Sequence, residues 1–324
     1  MQEDFEDWEI TPDAQPRPAD YGYDLDTALS AVVGLEAEIP ADAYTAEILG
    51  EARGGNGVLI DDSGLVLTIG YLVTEAERVR LHTRHGQVVD GHVLGIDQAS
   101  GLGLVQAMDL LDVPSIKLGD SRHAGLRESV VVGGAGGRKR SVAAHIVARQ
   151  EFAGYWEYLI EEAIFTTPAH PNWGGTALIG PAGDLLGIGS LQLQHQASGG
   201  RVLPLNMMVP IELLTPVYDQ LKAGKRTQVR PWLGLFAQDH DNTVMIVGLA
   251  GEGPASRAGL REGDVVRSAA GMDLTNLADF YRSIWALGGP GAKVPLVVER
   301  EGDVFDLTVV SADRQDFLKK PRFN

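Results

Sequence analysis

The residues of this sequence that could carry covalent chemistry lie in a short stretch near residue 170. Thr166 and Thr167 offer hydroxyl groups, and His170 offers an imidazole that could accept a proton. A hydroxyl beside an imidazole is the pairing of a nucleophile with a general base. The carboxylate that normally orients such an imidazole has no evident place beside them. The pattern therefore favours a hydrogen-bonded structural histidine over a Thr–His nucleophilic pair.

Thiol and metal chemistry find little support in the sequence. The chain has no cysteine, which excludes disulfides, thiol nucleophiles and cysteine-ligated metals. His82 and His85 are separated by two residues, but no third ligand follows nearby. We expect neither a metal ion nor any other cofactor.

The pattern of short apolar runs predicts a mainly β chain. The 324 residues are enough for about two domains. Residues 57–60 and 65–68 are strand candidates, and Asp61-Asp62-Ser63-Gly64 between them is a hairpin turn. Similar short runs continue to about residue 188, which is typical of a β-barrel or sandwich. Helices are predicted only over 210–223 and 276–287, where apolar residues recur at three- and four-residue steps.

The charge of the chain is negative and unevenly distributed. The formal net charge is −17, and residues 1–47 hold thirteen acidic residues against one basic residue, Arg17. Nucleic acid and anionic membranes are therefore poor partners, because both require a basic surface. No apolar run reaches the ~18 residues of a membrane span. Residues 1–28 are predicted to be an acidic, disordered leader.

The N-terminus lacks the basic start and the apolar core of a signal peptide. We therefore expect a cytoplasmic location. If an export signal had been cut from the sequence, we would instead expect a periplasmic location.

Several motifs in order resemble the HtrA family of trypsin-like proteases with C-terminal PDZ domains, over about residues 29–312. The resemblance implies a chymotrypsin-like double β-barrel with six strands in each barrel over 29–225, an α+β PDZ domain over 231–312 and a tail over 313–324. The matching motifs are Gly55-Asn56-Gly57-Val58-Leu59-Ile60-Asp61, Ile116-Lys117-Leu118-Gly119-Asp120-Ser121, Val209-Pro210-Ile211-Glu212-Leu213-Leu214 and, for the PDZ domain, the run from Gly253 to Val266.

The same resemblance locates the three catalytic positions of the family, which in this sequence are Tyr71, Gly101 and Trp173. A phenol with a reference pKa near ~10 is a poor base at neutral pH, glycine has no carboxylate, and an indole is no nucleophile. The family's oxyanion donors are the N–H of the nucleophile and of the residue two before it. The latter is Pro171, which has no N–H. The triad positions therefore look degenerate, and we expect no catalytic residues and no enzyme activity.

The PDZ resemblance predicts a peptide-binding site. Trp232, Leu233, Gly234 and Leu235 stand where HtrA-type PDZ domains carry the loop that binds a peptide's terminal carboxylate through backbone N–H groups. The other wall of the groove should come from the helix, where Tyr281 and Trp285 are candidates together with Ala278 and Arg282. About half of these apolar residues are expected to belong to the core.

These observations favour an HtrA-like pseudoprotease that binds protein or peptide partners through its PDZ groove and acts as a scaffold or regulatory subunit. Resemblance alone makes a homo-oligomer, specifically a trimer, an expectation. Two alternatives stay open. One is a serine-type endopeptidase with relocated catalytic groups, and the other is a purely structural subunit whose PDZ groove is closed.

Overall fold

A computed structural model describes residues 8–196, 200 and 202–319 of the chain. It confirms a mainly β fold with 44% strand and 16% helix. Residues 1–7 of the predicted leader and residues 320–324 of the predicted tail lie outside the described residues. The chain divides into two compact units, and the second consists of Glu151–Glu161 together with Gln228–Lys319. Each unit is described separately below.

The first unit begins with a segment that we expected to be disordered. It instead forms two 3-10 turns, Pro12–Ala14 and Pro18–Asp20, and a short helix α1 (Leu25–Ser30). The Asp24 carboxylate caps this helix by accepting from the N–H of Thr27. Because Ile10 and Leu25 are buried, residues of the predicted leader contribute to the core.

The first six strands form a closed barrel in the order β1-β2-β3-β6-β5-β4. Every ladder in it is antiparallel, and the interior is filled by valine, leucine and isoleucine side chains. The elements are β1 (Val32–Glu38), the single-turn helix α2 (Ala46–Leu49), β2 (Ala52–Asp61), β3 (Leu65–Ile69), β4 (Arg78–His82), β5 (Val88–Ile96) and β6 (Leu102–Ala107).

The next six strands close a second barrel in the order β10-β11-β12-β9-β8-β7, which confirms the predicted double barrel. The strands are β7 (Ser129–Gly133), β8 (Ser141–Gly154), β9 (Tyr158–Thr167), β10 (Ala177–Ile179), β11 (Leu185–Gln196) and β12 (Val202–Pro210).

The helix predicted over 210–223 is shorter than expected. Residues Ile211–Leu213 form a 3-10 turn, and the helix α3 covers only Tyr218–Lys222. Pro216 explains the interruption, because it has no N–H to donate and its ring disfavours a helical conformation in the preceding residue.

The second unit contains one antiparallel sheet in the order β13-β14-β15-β17-β18, and β13 lies at its edge. Its long helix confirms the prediction over 276–287 to within two residues, and the Asn276 side chain caps the helix by accepting from Asp279 N–H. The elements are β13 (Leu235–His240), β14 (Thr243–Leu249), the helix α4 (Pro254–Arg257), β15 (Val265–Ala269), β16 (Met272–Asp273), the helix α5 (Leu277–Trp285), β17 (Lys293–Arg300) and β18 (Asp303–Val310).

No helix within the described part of the chain is both long enough and apolar enough to cross a membrane.

Candidate functional site

The structure brings two of the three triad positions into direct contact. Tyr71 lies in the 3-10 turn Gly70–Leu72 that follows β3, and its hydroxyl donates to the carbonyl of Ser190 at 3.1 Å. The Trp173 indole, which can only donate, forms a hydrogen bond with the same hydroxyl. Burial raises the pKa of Tyr71 above its usual range. The phenol is therefore a neutral linker between a carbonyl and an indole at physiological pH.

The third position, Gly101, contributes backbone only. It has a left-handed φ of 77°, and its N–H donates to the carbonyl of Asp97 at 2.8 Å. Its own carbonyl accepts from Gly70 N–H at 2.6 Å, beside the turn that carries Tyr71. The nearby Asp97 carboxylate is buried and accepts from the N–H and the hydroxyl of Ser100 at 2.8 and 2.6 Å. Asp97 therefore stabilises its own turn.

The loop that carries Trp173 is fixed by the first barrel. The Asn56 side chain donates to the carbonyls of Asn172 and Gly174 at 3.1 and 3.0 Å. Gly175 has φ of 75°, and a Cβ atom there would lie 1.8 Å from the Asn56 carbonyl oxygen. Only glycine fits this position. The loop conformation therefore does not depend on a serine at position 173.

His170 is buried and fully engaged in hydrogen bonds. Its Nε2 lies 2.8 Å from the carbonyl of Arg140, and its Nδ1 accepts from Asn172 N–H at 3.1 Å. These partners require a neutral imidazole with the proton on Nε2. Burial also lowers the pKa of His170 below its ordinary value. Since both nitrogens are occupied, the ring acts as a structural link and not as a base for Thr166 or Thr167.

The second unit contains the arrangement with the clearest chemistry. Trp232–Leu235 form a loop in which Gly234 has a left-handed φ of 73°. This conformation directs three successive N–H groups toward one point, where they bind the carboxylate of Glu157. The distances are 3.0 Å from Leu233 N to Oε2, 2.7 Å from Gly234 N to Oε1 and 3.2 Å from Leu235 N to Oε1. The loop is therefore a carboxylate-binding site.

Two further contacts hold the same segment. Ala237 N–H on the edge strand β13 donates to the carbonyl of Tyr155 at 2.8 Å. The Tyr281 hydroxyl on α5 donates to the carbonyl of Gly154 at 2.8 Å and accepts from Glu157 N–H at 3.1 Å. We call the space bounded by the Trp232–Leu235 loop, β13 and α5 the PDZ groove. It holds the tip of the β8–β9 hairpin.

The remaining predicted groove residues support the groove through packing and ion-pair contacts. Trp232 packs against Phe317 with ring centroids 4.9 Å apart, and Trp285 stacks on Tyr281 at 5.5 Å. Ala278 is buried in the core of this unit. Arg282 forms ion pairs with Glu151 and Glu161, the residues that bound the hairpin segment.

Sequence reasoning missed Glu157 as part of the site. It lies 77 residues before Gly234, and its only local mark is a left-handed φ of 61° in a hairpin turn. Burial raises the pKa of this carboxyl from 4.5 to about 7, although the three N–H donors oppose the shift.

The structure contains no evident metal centre in the part of the chain that it describes. The two histidines considered for metal binding have separate partners. His82 lies 3.3 Å from Glu36, and His85 lies 3.4 Å from Asp112.

Comparison with known families divides the chain in the same way. Residues 55–188 match the trypsin-like peptidase domain, and residues 231–310 match the PDZ domain.

Curated relatives carry the name of an active enzyme. Probable periplasmic serine endoproteases of the DegP-like type from Pseudomonas fulva and Ectopseudomonas mendocina are 27% and 28% identical over 76% of this chain. The chain spans about half the length of these relatives, 53% and 54%.

These names contradict two of our predictions. The expectation that the chain is not an enzyme is wrong on this comparison, because the relatives are named serine endoproteases. The expectation of a cytoplasmic location is also wrong, because the same names place the relatives in the periplasm. The absence of a signal-like segment was insufficient for that inference.

Solved structures agree on the fold. The HtrA-type protease AlgW with a tripeptide superimposes with a TM-score of 0.53 at 22% identity, and it covers 95% of this chain and 99% of its own. A serine endoprotease from Yersinia pestis gives a TM-score of 0.51 at 19% identity, with 90% and 98% covered. Two barrels, a carboxylate-binding loop and the two domain matches agree: the chain has a trypsin-like peptidase domain and a PDZ domain, and it is similar to proteases of the HtrA/DegP type.

Proposed function

We propose that the second unit of this chain binds peptides that present a carboxylate, either at a C-terminus or in an extended segment. The observation that carries the proposal is the convergence of the N–H groups of Leu233, Gly234 and Leu235 on one carboxylate. Charge-assisted bonds of this kind are stronger than neutral ones. The match to the PDZ family and the AlgW structures with bound peptides support the same conclusion.

The residues of the groove have distinct roles in this proposal. The three N–H groups hold the carboxylate, and β13 is the edge strand to which a peptide strand would be added. Tyr281 donates to a ligand carbonyl, as it now does to Gly154. Trp285 supports Tyr281 by stacking on it, and Trp232 supports the carboxylate-binding loop by packing on Phe317. A partner held in this way would be scaffolded or regulated by the chain.

Calorimetric titration tests the binding function. A peptide with a free C-terminus should bind to the full chain, and the same peptide with an amidated C-terminus should bind at least about tenfold more weakly, because it lacks the charged acceptor. Equal affinity of the two peptides, or no binding by any variant described below, would overturn the proposal.

A second candidate function is peptide bond cleavage, which the names of the curated relatives favour. Tyr71, Gly101 and Trp173 supply no nucleophile–imidazole pair, so the reaction would need a nucleophile and a base from other positions. Purified protein should then degrade casein, and a fluorophosphonate probe should label a serine or threonine. Mass spectrometry of the labelled peptide would identify the nucleophile. Undetectable cleavage and labelling would refute this candidate.

The relatives also suggest where the protein acts. We propose a periplasmic location on the basis of their names. We further propose a homo-oligomer, specifically a trimer, which light scattering coupled to size-exclusion chromatography would detect as a mass three times that of the 34.7 kDa chain.

A further inference from the structure

The PDZ groove of this chain already holds a ligand, and that ligand is part of the same chain. We infer that residues 155–159 are an internal ligand of the groove, and that an external carboxylate-bearing peptide binds by displacing them. This inference rests on the proposed peptide-binding function and adds a competitor to it.

The first argument is the chemistry of the bound group. Glu157 presents a side-chain carboxylate in the position that a terminal carboxylate would take, because both are planar anions with two acceptor oxygens. Each oxygen is used: Oε2 accepts from Leu233 N, and Oε1 accepts from Gly234 N and Leu235 N. A second anion cannot use these N–H groups at the same time.

The second argument is the register of the backbone. Tyr155 lies two residues before Glu157, and its carbonyl accepts from Ala237, which lies two residues after Leu235. Moving away from the carboxylate, the segment runs opposite to β13, which is the direction of an antiparallel peptide added at a sheet edge. Residues 155–157 form a turn, and the segment meets the edge strand through this backbone hydrogen bond.

The third argument is the apolar side chain beside the carboxylate. Leu159 is 6% exposed and belongs to the hydrophobic core of the second unit, together with residues of α5 and the sheet. Release of the segment would return this apolar side chain to water, which is unfavourable. The internal ligand thus combines an anion, a backbone hydrogen bond to the edge strand β13 and a buried apolar side chain.

The contacts at the base of the hairpin are suited to release. Arg282 pairs with Glu151 and Glu161, but its side chain is 40% exposed and that of Glu161 is 68% exposed. Exposed ion pairs of this kind contribute little to stability because water screens them. An external peptide therefore competes mainly with the Glu157, Tyr155 and Leu159 contacts.

Competition has a measurable signature. When the groove is open only for a fraction of the time, the apparent Kd for an external peptide rises by the inverse of that fraction. Loss of the three charge-assisted bonds should open the groove enough to change affinity at least about tenfold.

The experiment uses the full chain and a peptide designed on the internal ligand. Its sequence is Glu-Phe-Ala-Gly-Tyr-Trp, as in residues 151–156, followed by leucine with a free carboxylate. Glu157→Ala removes the internal carboxylate, and Glu157→Gln keeps its shape but not its charge. Glu162→Gln is the matched control, because this side chain is 73% exposed and pairs only with Arg149.

We expect Glu157→Ala to bind the peptide at least about tenfold more tightly than the wild type and Glu162→Gln, with Glu157→Gln between them. Equal affinities for the wild type and Glu157→Ala would overturn the internal ligand while leaving the peptide-binding function intact.

Hydrogen exchange separates the two ideas further. The amides of residues 233–235 and 237 should be protected in the wild type and exchange at least about tenfold faster in Glu157→Ala, or in Glu157→Gln if the alanine variant does not fold. Faster exchange without peptide binding by any variant would support the internal ligand and refute the binding function. Unchanged exchange would refute the internal ligand.

Discussion

The phenol of Tyr71 and the indole of Trp173 are joined by a hydrogen bond, and the phenol itself donates a hydrogen bond to the Ser190 carbonyl. The three groups form a chain in which each polar atom has a partner. The bond links the turn after β3 to the loop after β9, so these aromatic residues stabilise the cleft between the barrels of the first unit.

Replacing the phenol tests this link. Tyr71→Phe should lower the free energy of unfolding by about 1–3 kcal/mol, because the Ser190 carbonyl and the Trp173 N–H lose their partner. Urea denaturation measures the change. The control is Tyr218→Phe, since Tyr218 is half-buried and its ring contacts Lys222 at 5.7 Å. A loss equal to that of the control would show that the hydrogen bonds contribute nothing.

The loop around position 173 should not tolerate a side chain at Gly175. Gly175→Ala should prevent folding or cost more than ~3 kcal/mol, because its Cβ would overlap the Asn56 carbonyl oxygen, 1.8 Å away. Gly86→Ala is the matched control. Gly86 also has a positive φ, 88°, but open space around it, so only the conformational cost of about 1–2 kcal/mol applies. Similar thermal stability of the two variants would contradict the predicted overlap.

Peptide binding should strengthen as the pH rises. With the hairpin in place the pKa of Glu157 is about 7, whereas a released carboxyl returns to about 4.5. Between these values the closed state binds more protons than the open one, so raising the pH weakens closure. The apparent Kd for a C-terminal peptide should therefore fall by roughly tenfold or more between pH 5 and pH 8, as the peptide's own carboxylate stays ionised.

The surroundings of Glu157 do not add a second titration in this window. Arg314 lowers its pKa but stays charged, and burial raises the pKa of Tyr281, which stays neutral. The negative charge of Asp239 also raises the pKa of Tyr281. Fluorescence anisotropy across this pH range measures how the apparent Kd for the peptide changes with pH. The Glu157→Gln variant should show no such change. An equally large change of the apparent Kd with pH in that variant would show that another group titrates.

Arg282 should influence hairpin release and not global stability. Arg282→Gln should change the unfolding free energy by less than ~1 kcal/mol, because its ion pairs are exposed. Amide exchange at residues 233–237 should nevertheless quicken. Arg267→Gln is the control, as its ion pair with Glu299 lies away from the hairpin. Salt should reduce the difference between the two variants. Identical exchange in both would contradict a role for Arg282.

The sequence predicted the parts of the fold that are specified locally. The turn predicted over Asp61–Gly64 joins β2 to β3, and the run from Gly253 to Val266 contains α4 and the start of β15. Pro216 is visible in the sequence, but the apolar periodicity on both sides of it predicts a continuous helix. Trp8 was assigned to a disordered leader although its ring lies 5.7 Å from that of His170, because an acidic composition does not reveal distant aromatic contacts.

The carboxylate-binding loop could be located from its own residues, whereas its occupant could not. Glu157 is one acidic residue among many, and nothing near it resembles a ligand motif. Its importance arises only when β8 and β9 carry it to Gly234, which is a long-range relationship. A local sequence motif can indicate a loop that binds an anion, but it does not identify the distant residue that supplies the anion.

Because Glu157 belongs to the same chain, its competition raises the concentration of external ligand that is needed to fill the groove. A group fixed to the same chain competes at a constant effective concentration, on the order of millimolar for a short connection, however dilute the protein is. Peptides of low affinity or low concentration would occupy the groove only slightly, whereas peptides of high affinity or high concentration would fill it. A simple open groove responds in proportion to its ligand. A self-occupied groove gives the same response at proportionally higher ligand concentrations.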